Sequence, residues 1–153
     1  MKILMVCLGN ICRSPLAEGI LKEKLKARKL DWEVHSAGTG SWHIGELPDH
    51  RSVAVARKYG IDITDQRARQ LKPHDLNNYD LILAMDSSNY RDIIRMAASP
   101  EQENKIKLIL NIGNPERNAN VPDPYWDDDG FEKVFQLLDD ACENIIEEYK
   151  ESK

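Results

Sequence analysis

Four residues of this chain have the types and spacing to do covalent chemistry together. Cys7, Arg13 and Ser14 lie in VCLGNICRSP, and Asp123 lies in VPDPYW. A thiol with five residues between it and an arginine can curl its own chain around a tetrahedral anion. Backbone N–H groups of such a loop point inward, and a helix opening at its end adds positive potential. Gly9 lets the backbone come close to a ligand, and Asn10 tolerates the left-handed conformation that curls a loop. Arg13 offers a planar fork to two oxygens of the anion. At the base of this cradle Cys7 would be favoured as a thiolate, placed for in-line attack on phosphorus. Ser14 can donate a hydroxyl hydrogen bond to the sulfur and help it first to attack and later to leave.

A nucleophile is half a mechanism, because the leaving oxygen needs a proton. Asp123, between two prolines, is the candidate acid. Pro124 fixes the backbone beside it, and Tyr125 and Trp126 would wall the site and exclude water, which favours a protonated carboxyl. Asp86 begins a helix and reads equally as a cap or as a support for the site. Cys142 falls on an apolar stripe and reads as core, as does Trp32. The four histidines show no pairing and receive no role.

The elements that must position these residues alternate along the chain. Residues 2–7 read as a buried strand, and Ser14 followed by Pro15 reads as a helix cap and first helical position. The helix that follows puts Leu16, Ile20 and Leu25 on one face. Strands are expected at 32–38, 79–86 and 104–111, and helices at 47–60, closed by Gly60, and at 87–97. Residues 111–130 form a long polar segment with three prolines. The DDDG run at 127–130 then opens a final helix whose apolar residues, from Phe131 to Tyr149, recur at three- and four-residue spacing. This alternation predicts an α/β domain with a parallel sheet and helices on both faces, ligands binding at the carboxyl ends of the strands. Cys7 and Asp123 would share that edge.

Composition narrows the function. At 153 residues the chain suits one domain, 1–153. A net charge of −5 without a basic stripe argues against nucleic acid. No apolar stretch approaches the ~20 residues that span a bilayer, and the N-terminus lacks a signal-peptide core, so the expected location is cytoplasmic with no membrane partner. Three cysteines fit a reducing compartment, and no Cys/His cluster has zinc-ligand spacing, so no metal is expected.

VCLGNICRSPLAE near the start, with PDPY late in the chain, closely resembles the low-molecular-weight protein tyrosine phosphatases, in a bacterial-type form. SAGT, ARQL and MDSSN resemble that family too, so the likeness spans essentially the whole chain. The resemblance implies a flavodoxin-like fold with a four-stranded parallel sheet, no cofactor and no metal. It makes Cys7 the nucleophile that forms a phosphocysteine. Leu8, Gly9, Asn10, Ile11, Cys12 and Arg13 become the phosphate loop. Asp123 becomes the acid that protonates the phenolate and then activates water. Asn10 and Ser14 support loop and thiolate, and Cys12 is the second loop cysteine, which can pair reversibly with the nucleophile on oxidation. Trp42 matches the bulky residue on the pocket rim. Where relatives often carry a second tyrosine this chain has Trp126. The implied substrates are phosphotyrosine-containing proteins, a bacterial tyrosine kinase among the candidates. Two rivals stand beside this reading: an arsenate reductase of the related fold, and a phosphate-binding domain without turnover. The first needs relay cysteines after the third strand, and AMDSSNYRD has none; intact Cys7, Arg13 and Asp123 weigh against the second.

Overall fold

Side-chain parity along the first strand divides the interior into two cores. In the computed structural model, which describes residues 1–151, β1 (Lys2–Cys7) points Ile3, Met5 and Cys7 to one face of a sheet and Leu4 and Val6 to the other. An extended chain imposes that alternation. β1 lies between β2 (Glu33–Gly38) and β3 (Leu81–Ala84), and β4 (Ile106–Leu108) adds beyond β3, in the order β2-β1-β3-β4 with every pairing parallel. Strands covered on both faces are apolar throughout, and all four residues of β3 are buried.

α1 (Arg13–Ala27), α2 (His50–Lys58) and α6 (Gly130–Tyr149) pack on the Ile3–Met5 face. α3 (Asp75–Asn78) and α4 (Ser87–Met96) pack on the Leu4–Val6 face through Leu76 and Ile93, and α5 (Pro100–Asn104) leads into β4. The expected stripes are the buried ones: Leu16, Ile20 and Leu25 in α1, and Phe131, Leu138, Cys142 and Ile145 in α6. Trp32 packs against the core half-buried. Among the described residues no helix is long and apolar enough to cross a membrane. Residues 152 and 153 of the expected 1–153 domain lie outside the described residues.

Several boundaries differ from the sequence reading. The strand expected over 104–111 is confined to Ile106–Leu108. Ser99 caps α5 with Pro100 at its start, and a single 3-10 turn at Ile109–Asn111 ends the strand. α1 starts at Arg13, with Cys12 at its N-cap, so Ser14 is not the cap and Pro15 sits third in the helix. No side chain caps this helix, because the Ser14 hydroxyl is turned to Cys7 and Asn10. First-turn N–H groups that no protein group caps are what an anion site requires.

Where β1 and β3 lie side by side, their following connections diverge to opposite faces. A crevice opens there at the carboxyl ends of the strands. Cys7 ends β1, and Asp86 follows β3.

Candidate active site

The segment from Leu8 to Cys12 joins β1 to α1 and folds around the Cys7 sulfur. Asn10 adopts φ 56°, the left-handed conformation its short amide tolerates. That turn aims its backbone N–H at Cys7 Sγ, 3.3 Å away. Its buried side chain is fully engaged. Nδ2 donates to Ser14 Oγ at 2.8 Å and Ser36 Oγ at 2.9 Å, and Oδ1 accepts from the Arg69 N–H at 2.9 Å. Ser14 Oγ lies 3.0 Å from Cys7 Sγ. With sulfur as a thiolate only the hydroxyl can donate, and Asn10 has already supplied that oxygen with a donor.

The loop rests on the end of β2. The Gly40 N–H donates to Leu8 O and the Thr39 N–H to Cys7 O, each at 2.9 Å. A Cβ at Gly38 would stand 2.8 Å from Leu8 O and 3.1 Å from Asn10 N. Backbone cannot swing aside as a side chain can. Gly38→Ala is therefore expected to displace the loop, lowering stability by about 1–3 kcal/mol and weakening phosphate binding. Thermal melts and phosphate inhibition of aryl phosphate hydrolysis check this, and unchanged inhibition would show that the loop yields.

Arg13 is buried, with its fork aimed at three groups. Nη1 donates to Asp86 Oδ2 at 2.7 Å and to Val121 O at 3.0 Å, and Nη2 lies 3.7 Å from Asp123 Oδ2. Burial alone would lower its pKa. Cys7, the hydrogen bond and charge of Asp86, and Asp123 more than offset that, so the guanidinium is held charged. Asp86 does both things expected of it: Oδ1 caps α4 by accepting from the Asn89 N–H at 2.8 Å, and Oδ2 anchors Arg13. Burial, helped by Asp49, Cys7 and Asp123, pushes the Cys12 thiol up to about 12. Cys12 is thus a neutral thiol at pH 7.

A cleft of about 250 Å³ opens over the sulfur, with Leu8, Gly9, Ile11, Cys12 and Arg13 in its lining. Asp123 stands at its edge with 42% of its side chain exposed, wetter than the water-excluding walls of the sequence reading imply. Tyr125 and Trp126 meet edge to face, centroids 4.8 Å apart, and Trp42 lines the same cleft. Trp42 and Trp126 are 70% and 89% exposed, so each presents a free face to an incoming ring.

The sequence reading missed two contributors. His43 lines the cleft beside Trp42, its Nδ1 3.1 Å from Glu46 Oε1; its place next to the rim residue was the available signal. Arg51, at the start of α2, reaches across to the carbonyl of Tyr125, and nothing local in the sequence announces that contact.

An α/β domain whose first strand delivers a cysteine to the floor of a cleft at a strand-to-helix loop, with a buried arginine and a carboxyl in the same lining, belongs among enzymes that handle tetrahedral oxyanions. Residues 2–153 match the family model of the low molecular weight phosphotyrosine protein phosphatases, and the chain is a member of that family of hydrolases acting on phosphotyrosine. A low molecular weight protein-tyrosine-phosphatase described as putative in Synechocystis is 43% identical over 149 residues, covering 95% of this chain and 94% of that protein. The crystal structure of YfkJ from Bacillus subtilis is 37% identical with a TM-score of 0.92, covering all of this chain and 96% of that one. A Drosophila structure described as an arginine phosphatase is 36% identical with a TM-score of 0.90 over the whole of both chains.

Proposed function

We propose that the chain hydrolyses phosphotyrosine and other aryl phosphates by double displacement on Cys7, residues 1–153 acting as one cytoplasmic phosphatase domain on phosphoproteins. The observation that carries this reading is the Cys7 sulfur facing both the Asn10 N–H and the Ser14 hydroxyl at the floor of the cleft that Arg13 and Asp123 also line. Phosphate oxygens take the loop N–H groups and the Arg13 fork. Cys7 Sγ attacks phosphorus in line, the P–O(aryl) bond breaks, and the departing oxygen takes the proton of Asp123. The product is a phosphocysteine and a free phenol. Water then attacks phosphorus, passing its proton to the Asp123 carboxylate. The S–P electron pair returns to sulfur, where Ser14 and the Asn10 N–H receive it, and inorganic phosphate leaves.

The floor lies below aromatic walls, which suits a long flat side chain; a phosphoserine would carry its backbone into Trp42 and Tyr125. Quenching a reaction with phosphotyrosine rapidly in alkaline denaturant, where an S–P bond survives, and mapping the modified peptide by mass spectrometry should find the phosphoryl group on Cys7. Its absence under rapid quench would overturn the scheme. Running phosphotyrosine, phosphoserine and phosphoarginine peptides side by side tests the substrate class, a bacterial tyrosine kinase being the first phosphoprotein to try. Asp123→Asn is expected to lower kcat/KM for phenyl phosphate about 100-fold and for p-nitrophenyl phosphate far less, since a good leaving group departs without a proton. Equal losses would remove Asp123 from the acid role.

A further inference from the structure

We infer that Arg51 is a positioning residue that holds the Asp123 loop at its working distance from the phosphate loop. The start of α2 is pinned to the phosphate loop by its backbone. The Asp49 N–H donates to Ile11 O at 2.8 Å, and the hydroxyl of fully buried Ser52 donates to Cys12 O at 3.2 Å. Arg51 carries that anchorage outward. Its Nε and Nη2 grip both oxygens of Asp49 at 3.0 and 2.9 Å, Nη2 also donates to Tyr125 O at 3.0 Å, and Nη1 bonds Asp128. The guanidinium lies 4.6 Å from the Phe131 ring centroid and 5.7 Å from that of Tyr125.

The link ends on the acid. Tyr125, whose carbonyl Arg51 holds, donates its own N–H to Asp123 Oδ1 at 3.1 Å. Upstream of the acid, Val121 is held through its carbonyl by Arg13 and through its N–H by Met85 O. Asp123 is therefore bracketed, by Arg13 through Val121 on one side and by Arg51 through Tyr125 on the other. A planar fork can grip a carboxylate and still reach a carbonyl and a second carboxylate, which an ammonium point charge cannot. The inference rests on the acid role of Asp123 proposed above. It adds that the role depends on a residue that need not touch substrate.

The test compares wild type, Arg51→Gln, Asp123→Asn and the double variant. Each is assayed for kcat/KM on phenyl and p-nitrophenyl phosphate and for inhibition by inorganic phosphate. Misplacing a catalytic group by about 1 Å can cost up to about 100-fold. Arg51→Gln is expected to lower kcat/KM about 10-fold for phenyl phosphate and less than about 2-fold for p-nitrophenyl phosphate. It should leave phosphate inhibition unchanged and add nothing in the Asp123→Asn background. Equal losses on both esters, weakened phosphate inhibition, or losses that multiply in the double variant would overturn the inference. Should Arg51→Gln fail to fold, Asp128→Asn carries the test. It cuts one exposed arm of the link and should shift the ester ratio in the same direction by about 2- to 3-fold; an unchanged ratio overturns the proposal. If Asp123→Asn itself leaves the ratio unmoved, the acid reading falls and Arg51's role with it. If Asp123→Asn shifts the ratio and Arg51→Gln does not, only Arg51's role falls.

Discussion

Cys7→Ser is expected to bind phosphate about as well as wild type and to lose at least about 10⁴-fold in aryl phosphate turnover. The anion is held by loop N–H groups and Arg13, and the substitution touches neither. It removes the sulfur that serves as nucleophile in the proposed scheme. A serine hydroxyl at that position would face Ser14 and the Asn10 N–H, which meet the sulfur as donors and not as proton acceptors, and its own pKa is far above that of a thiol. Cys12 cannot substitute, since burial and nearby carboxylates keep it a thiol, and Cys142 is fully buried in α6, its sulfur donating to Ala17 O of α1, and is not part of the cleft lining. Isothermal titration with phosphate or vanadate and initial rates on p-nitrophenyl phosphate check both halves. Retained turnover would place the nucleophile elsewhere, and lost binding would mean that the sulfur shapes the cradle as well as using it.

Arg13→Lys is expected to be the next most damaging change, lowering kcat/KM about 10³-fold. The side chain is only 3% exposed, so water cannot replace a contact that is lost. One ammonium cannot at once fasten Asp86, hold the Val121 carbonyl and present two parallel donors to a phosphate. Asp86 would keep the Asn89 N–H but lose its guanidinium. Phosphate inhibition should weaken along with kcat/KM, because the fork acts on the bound anion as well as at the transition state. A loss under tenfold, with normal phosphate inhibition, would show that the loop amides alone carry the anion.

Much of this arrangement is legible in the sequence because it is local. A cysteine, a glycine, an asparagine and an arginine within one strand-to-helix turn can be read from spacing alone, and the left-handed Asn10 follows from its residue type. The two-faced sheet is likewise visible in apolar runs too short for helices. Errors arise where a residue has two possible partners. Ser14 before Pro15 has every mark of a cap, yet its hydroxyl serves a sulfur seven residues back. The last strand is shorter than its apolar run suggests because Ile109 and Leu110, apolar and buried, belong to a 3-10 turn whose burial mimics that of a strand. Arg51 acts through a contact between segments far apart in the chain. Arg51 meets Tyr125 across 74 residues, a separation at which no periodicity or motif carries information.

The placement of the indoles has a practical consequence. The chain has three tryptophans. Trp32 precedes β2 at the opposite end of the sheet from the cleft, while Trp42 and Trp126 stand at its mouth. The native ultraviolet emission of this molecule is thus weighted toward the entrance to its own binding site, and it carries an optical label there that no chemist had to attach.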